Sequence, residues 1–218
     1  MSQRRIVRRP VLPPPYDLPA SLHPVLRRVY AARGVCKQQD LDLGLEHLLP
    51  VGSLGGVSAA VDLLRRCHRD GLRVLVIGDF DADGATSTAL VVRQLRRLGF
   101  RDPQFLVPDR FRFGYGLTPE IVRVAAGMRP DLIVTVDNGV SSVEGVAEAR
   151  RCGIDVLVTD HHLPGPSLPD AMAIVNPNLP GEAFASKALA GVGVAFYVMA
   201  ALTRALRERG ASTDAAAV

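Results

Sequence analysis

A chain of 218 residues with 48% hydrophobic side chains can bury one sizeable core, or one domain plus an arm. No apolar run approaches the roughly 18 residues of a membrane span, and the basic N-terminus lacks a signal peptide's apolar stretch, so membrane proteins are excluded and a cytoplasmic location is expected. Cys36, Cys67 and Cys152 form neither a disulfide framework nor a zinc pattern, and the net charge of +4 points weakly to a polyanionic partner. Lys37 and Lys187 are the only lysines, an arginine bias that fits phosphate binding or genomic base composition equally.

The first 20 residues hold Arg4, Arg5, Arg8, Arg9 and the run Pro13-Pro14-Pro15, which permits no regular helix or central strand. This is an arm, either a surface-hugging tail or a nucleic-acid contact. A short helix is expected from His23-Pro24 to Gly34, and an amphipathic one from Ser58, its candidate cap, to about Arg69. An alternation then begins. Arg73–Gly78 reads as a strand, Thr86–Leu98 as a helix stopped by Gly99, and Gln104–Val107 as a short strand. Thr118-Pro119-Glu120 opens a helix with a Thr cap and Pro in the first turn. Leu132–Val136 is a strand, Ser141–Arg151 a helix, Ile154–Val158 and Ala173–Val175 strands, and Ala188 to about Arg209 a long helix stopped by Gly210. Strands alternating with helices define an α/β fold, a Rossmann-like parallel sheet flanked by helices.

Ligand-type residues follow three of these strands. Asp79, Asp81 and Asp83 come after the first, and at spacing two in an extended chain they point the same way. Crowded carboxylates raise one another's pKa unless a cation neutralises them. Gly84 lets the backbone turn into the next helix, whose N-terminus favours Asp83. Asp137-Asn138-Gly139 follows the second strand, and Asp160-His161-His162 the third. Oxygen and imidazole ligands without thiolate suit Mn²⁺ or Mg²⁺. So many carboxylates suggest two ions, an arrangement suited to in-line displacement at phosphorus. A nucleotide-binding Rossmann domain is a poor fit, because no G-x-G-x-x-G follows the first strand.

Gly78-Asp79-Phe80-Asp81-Ala82-Asp83-Gly84, Val136-Asp137-Asn138-Gly139 and Thr159-Asp160-His161-His162 resemble the first three motifs of the DHH phosphoesterases. Val107-Pro108-Asp109-Arg110, Gly114-Tyr115-Gly116-Leu117, Asn176-Pro177-Asn178 and Leu189–Phe196 narrow the resemblance to the bacterial single-strand-specific 5′→3′ exonucleases within that family, over about Leu18 to Arg209. The resemblance implies that Asp81, Asp83, Asp137 and His161 are metal ligands and that Asp79 is a ligand or lies close behind them. It implies that Asp160 orients the histidines, and that His162 faces the scissile phosphate. Arg110 would contact phosphate and Tyr115 stack on a base; the alternative for both is a surface loop with a buried ring. Asn176 either locks the cleft wall or reaches the substrate. Gly191 and Gly193 either cradle a phosphate with their amides or allow close helix packing, with Ser186 and Lys187 just upstream.

Residues 1–48 are thus expected to form the arm and short helix, and 49–218 a truncated DHH domain. The fourth motif, the DHHA1 domain and the OB-fold of such proteins have no counterpart, and Asp214 sits in no version of that motif. A fragment of this kind is expected to be weakly active or inactive and to expose apolar surface. The implied partners are single-stranded DNA, a single-strand-binding protein and a helicase. The competing expectations are a phosphodiesterase acting on short oligoribonucleotides or cyclic dinucleotides, and a non-catalytic scaffold binding single strands or a partner.

Overall fold

Five short runs from residue 74 onward become the strands of one five-stranded sheet in the computed structural model, which describes residues 7, 17–42 and 44–208. The strands are β1 (Val74–Ile77), β2 (Gln104–Leu106), β3 (Leu132–Val136), β4 (Asp155–Thr159) and β5 (Ala173–Val175). All pair in parallel, in the order β2-β1-β3-β4-β5. β1 and β3 are buried along their whole length, as near-continuous Val/Ile/Leu strands must be when helices cover both faces.

The helices are α1 (Pro24–Ala31), α2 (Val57–Arg69), α3 (Ala82–Arg97), α4 (Arg110–Phe113), α5 (Pro119–Gly127), α6 (Val143–Arg151) and α7 (Gly191–Arg207). Alternate strand residues face opposite layers. Leu75, Ile77, Ile133, Val156 and Val158 form one core with Ile121, Val122 and Ala125 of α5 and Val146 and Ala149 of α6. On the other face α2, α3 and α7 pack together and against the sheet.

Several local expectations hold. Thr118 accepts from the Ile121 amide with Pro119 in the first turn of α5, and β3 and β5 have the expected bounds. Others shift. Gly56, in the left-handed region, takes the N-cap of α2 in place of Ser58. α3 starts at Ala82 rather than Thr86, so Asp81 is its N-cap and Asp83 lies in its first turn. Arg110 sits on the short helix α4 rather than in a loop.

The chain divides into two compact units, residues 1–49 and 50–218. The first holds α1, two 3-10 turns at Gln38–Leu41 and Leu45–His47, and a bridge between Asp17 and Lys37. The second holds the sheet. The N-terminal arginines, the proline run, the Gly210 stop and Asp214 lie outside the described residues.

Candidate metal centre

Strand order reverses direction about β1 and β3, so their crossovers leave on opposite faces and a crevice opens at their carboxyl ends. Asp79, Asp81 and Asp83 follow β1, Asp137 follows β3, and Asp160, His161 and His162 follow β4. Parallel register brings the three groups to one edge, with Ile77 beside Thr135 and Val136 beside Thr159.

The β1 carboxylates do not share the alternating geometry of an extended chain, because the helix begins between them. Asp79 Oδ1 accepts from the Phe80 amide at 2.8 Å, and its Oδ2 lies 3.7 Å from Arg110 Nη2. Asp81 caps α3 through the Gly84 amide at 2.9 Å. Asp83 turns the other way and accepts from the Gly191 and Val192 amides at 2.8 and 2.7 Å. α7 has no side-chain cap from its own N-cap residue, Ala190, so Asp83 supplies one from 108 residues away. Gly84 serves by close approach, since a Cβ there would stand 2.5 Å from the Asp79 carbonyl oxygen.

Gly191 and Gly193 are both sites of close approach. The amides of Gly191 and Val192 are bound to Asp83, not open to a phosphate, and Gly191 is the first residue of the helix. A Cβ at Gly191 would stand 2.6 Å from Asp137 Oδ1, and one at Gly193 would stand 2.5 Å from the Leu189 side chain.

Asp137 lies at the centre. Its backbone holds φ 60, a left-handed conformation that costs a non-glycine residue about 1–3 kcal/mol. Its side chain is 2% exposed, and Oδ1 accepts no hydrogen bond. His161 Nε2 stands 3.1 Å from that oxygen and 3.6 Å from Asp83 Oδ2. Burial, then the charges of Asp83 and Asp81, push the Asp137 carboxyl up to about 7. An orphaned, buried, crowded carboxylate is what a divalent cation would satisfy, so these residues fit Mn²⁺ or Mg²⁺.

Ligand-type atoms converge in two sets that share Asp137: one with Asp79 and Asp81, the other with His161 and His162. Asp83 belongs to neither set, though His161 links it to the second.

Asp160 organises the third strand end. Its Oδ2 accepts from the Val140 amide at 2.8 Å, and its Oδ1 from the His161 and His162 amides and from His162 Nδ1 at 2.8 Å. Burial alone would raise its carboxyl, but the His162 ring and these amides hold it below its ordinary value. The hydrogen bond to Asp160 in turn raises His162 above the ordinary imidazole value against the cost of burial.

Tyr115 is half exposed, so its ring is not buried; its hydroxyl donates to the Asp137 carbonyl at 3.2 Å and lies 3.3 Å from His162 Nδ1. Arg110 lies over the Phe80 ring at 3.9 Å. Asn176, fully buried, donates to the His162 carbonyl at 2.9 Å, so it braces the cleft wall. Asn178 braces His161 in the same way at 2.6 Å, and Lys187 Nζ ties the following loop through the Pro177 and Glu182 carbonyls.

Two contributors escaped the sequence reading. Phe80 supports Arg110. Asn138 Nδ2 donates to the Ile77 carbonyl at 3.2 Å and the Val136 carbonyl at 2.9 Å, clamping β1 to β3 directly beneath Asp137. The Asn in the Asp-Asn-Gly run was the available signal.

A parallel sheet with carboxylates and histidines at three adjacent strand ends defines the class: the chain belongs to the DHH family, whose N-terminal domain matches residues 73–217. Its particular relatives are single-stranded-DNA-specific exonucleases RecJ. That of Dickeya dadantii is 58% identical over 89% of this chain and 34% of its own length, and that of Salmonella typhimurium 54% identical over 96% and 36%. A crystal structure of exonuclease RecJ bound to manganese superposes with a TM-score of 0.66 at 36% identity, over 77% of this chain and 41% of that one. The chain therefore spans about a third of the length of the curated relatives it matches.

Proposed function

We propose that this chain carries the metal-binding part of an exonuclease that degrades single-stranded DNA 5′→3′ to mononucleotides, in recombination and repair. The observation that carries the reading is Asp137, whose buried Oδ1 accepts no hydrogen bond and whose carboxylate belongs to both ligand sets. Asp79, Asp81, Asp137 and His161 would hold the ions, Mn²⁺ or Mg²⁺, with Asp83 beside them. Asp137 would be common to both sets. When bound, such ions would lower the pKa of a water to give hydroxide and offset charge on the phosphate oxygens.

The remaining steps belong to the protein's own groups. Asp160 holds His162 by Nδ1, which leaves Nε2 for a phosphate oxygen, and the raised pKa favours the cationic ring that such an oxygen needs. Arg110 would orient the phosphate, its guanidinium fixed by Phe80 and Asp79. Tyr115 would offer its exposed ring to a base while its hydroxyl anchors it to the Asp137 carbonyl. Asn176, Asn178 and Asn138 would fix the strand ends rather than touch substrate.

Residues 49–218 would form the DHH domain. A single-strand-binding protein and a helicase belong to this proposal as partners, and the cytoplasm as its location; among the described residues no helix is long and apolar enough to cross a membrane.

The test is digestion of a 5′-phosphorylated single strand with Mn²⁺, comparing this chain, the longer relatives and Asp137→Ala in each. Loss of mononucleotides from the 5′ end, abolished by the substitution, supports the reading. If neither the chain nor the longer proteins shorten DNA while both cut short oligoribonucleotides, the substrate assignment fails.

A further inference from the structure

One segment beside the centre presents chemistry that the metal ligands do not use. Asp109 caps α4 by accepting from the Phe111 amide at 2.9 Å, and Gly114, with φ 78, ends it. Within this single turn the sequence Arg110-Phe111-Arg112-Phe113 interleaves two cations with two aromatic rings. Phe113 points inward and packs against the α5/α6 core, which anchors the turn. Arg110 reaches back to Asp79 and Phe80 at the metal cluster. Arg112 lies over the Phe113 ring at 5.0 Å and has no carboxylate partner among the described residues. Phe111 is left 98% exposed, the most solvent-bathed large apolar side chain among the described residues.

A single exposed apolar residue needs no explanation by itself. Here it sits on an anchored turn between two guanidiniums, next to a residue that touches the carboxylate cluster. Guanidiniums bind phosphate, and an aromatic face between them stacks on a base; strand-binding grooves combine these two elements. The other exposed rings beside this turn, Phe80 and Tyr115, both lie against the Arg110 guanidinium, so the aromatic surface is interleaved with charge, which suits a strand better than the continuous apolar patch of a protein partner.

We propose that Phe111, with Arg112, is a base-stacking platform for the single strand at the mouth of the metal centre. Phe111 takes the face of a base near the scissile phosphate, and Arg112 takes a neighbouring phosphate. This rests on the nuclease reading and adds a positioning residue to it, distinct from Arg110 and Tyr115. The platform should govern strand affinity and leave the chemistry unchanged.

The chain contains no tryptophan, so Phe111→Trp installs a single fluorescent reporter that can also stack. The probe is a 5′-phosphorylated oligo(dT) with phosphorothioate linkages, titrated in Mn²⁺, beside the same strand carrying abasic sites at its first positions. The platform predicts quenching of the introduced indole by oligo(dT) and little by the abasic strand. It predicts that Phe111→Ala weakens oligo(dT) binding roughly tenfold by anisotropy, that Phe111→Trp restores it, and that Mn²⁺ affinity is unchanged in both. Equal binding by wild type and Phe111→Ala, or equal quenching by both strands, overturns the platform and leaves the nuclease reading standing. Failure of the unaltered chain and its longer relatives alike to bind oligo(dT) overturns both.

Discussion

The two ends of the sheet carry the same residue types and treat them oppositely. At the amino end, Asp131 accepts from the Arg73 amide at 2.7 Å, and Asp155 meets Arg66 at 2.5 Å. Each of these carboxylates has its own donor. At the carboxyl end, Asp79, Asp81, Asp83, Asp137 and Asp160 share one guanidinium and two imidazoles, and while the other four also accept from backbone amides, the buried Asp137 Oδ1 has no hydrogen bond. Folding alone would select the first arrangement. The second is tolerated only if something absent from the chain completes it, so charge balance separates a structural pole from a functional one more sharply than residue type does.

The largest expected effect is on Asp137. Asp137→Ala should lower Mn²⁺-dependent hydrolysis by at least about a thousandfold, as loss of a shared ligand would, measured on the longest active form. The same substitution should leave the metal-free fold as stable or more so, since it removes a crowded charge. Thermal melting without metal checks this, and clear destabilisation would break the contrast between the poles.

Asp83 should behave differently. Its two amide bonds cap α7, so Asp83→Ala should cost on the order of 2–3 kcal/mol in urea unfolding even without metal. Asp83→Asn, which keeps an acceptor, should recover part of that loss.

pH sharpens the contrast further. The Asp137 carboxyl stands near 7 in the fold against the usual carboxylate value in the unfolded chain. The metal-free fold therefore binds the extra proton between about pH 4 and 7, and its stability should fall as pH rises through that window, by on the order of 4 kcal/mol. Mn²⁺ should displace the proton and reverse the trend. Chemical denaturation across pH, with and without Mn²⁺, reads both effects.

The smallest effect belongs to the amino end. Asp155→Ala removes a half-exposed ion pair with Arg66 and should cost less than about 1 kcal/mol while leaving Mn²⁺ affinity alone.

Much of this was legible in the residues. Continuous apolar runs fixed β1, β3 and β4, and a run that stops in Asp or His marked each carboxyl end, because period and composition are local. Partnerships across the chain were not. The alternation of Asp79, Asp81 and Asp83 suggested one shared face, but the helix starts at Ala82 and sends Asp83 to α7. Of the two readings of Gly191, the sequence could not weigh phosphate cradling against packing, because the carboxylate that takes its amide lies 108 residues away. Asn138 read as turn chemistry and proved to clamp two strands, because its partner is the carbonyl of Ile77, 61 residues away. Register and tertiary approach decide such pairings, and neither is written in a local pattern.

The most direct test of the central claim is Mn²⁺ binding to this chain by calorimetry at pH 7.5, beside Asp137→Asn, which keeps the size and removes the charge. The wild type should bind with release of protons, and the variant at least tenfold more weakly. Equal binding by both, or none by the wild type, would contradict the claim that the carboxyl pole of the sheet is built around a cation.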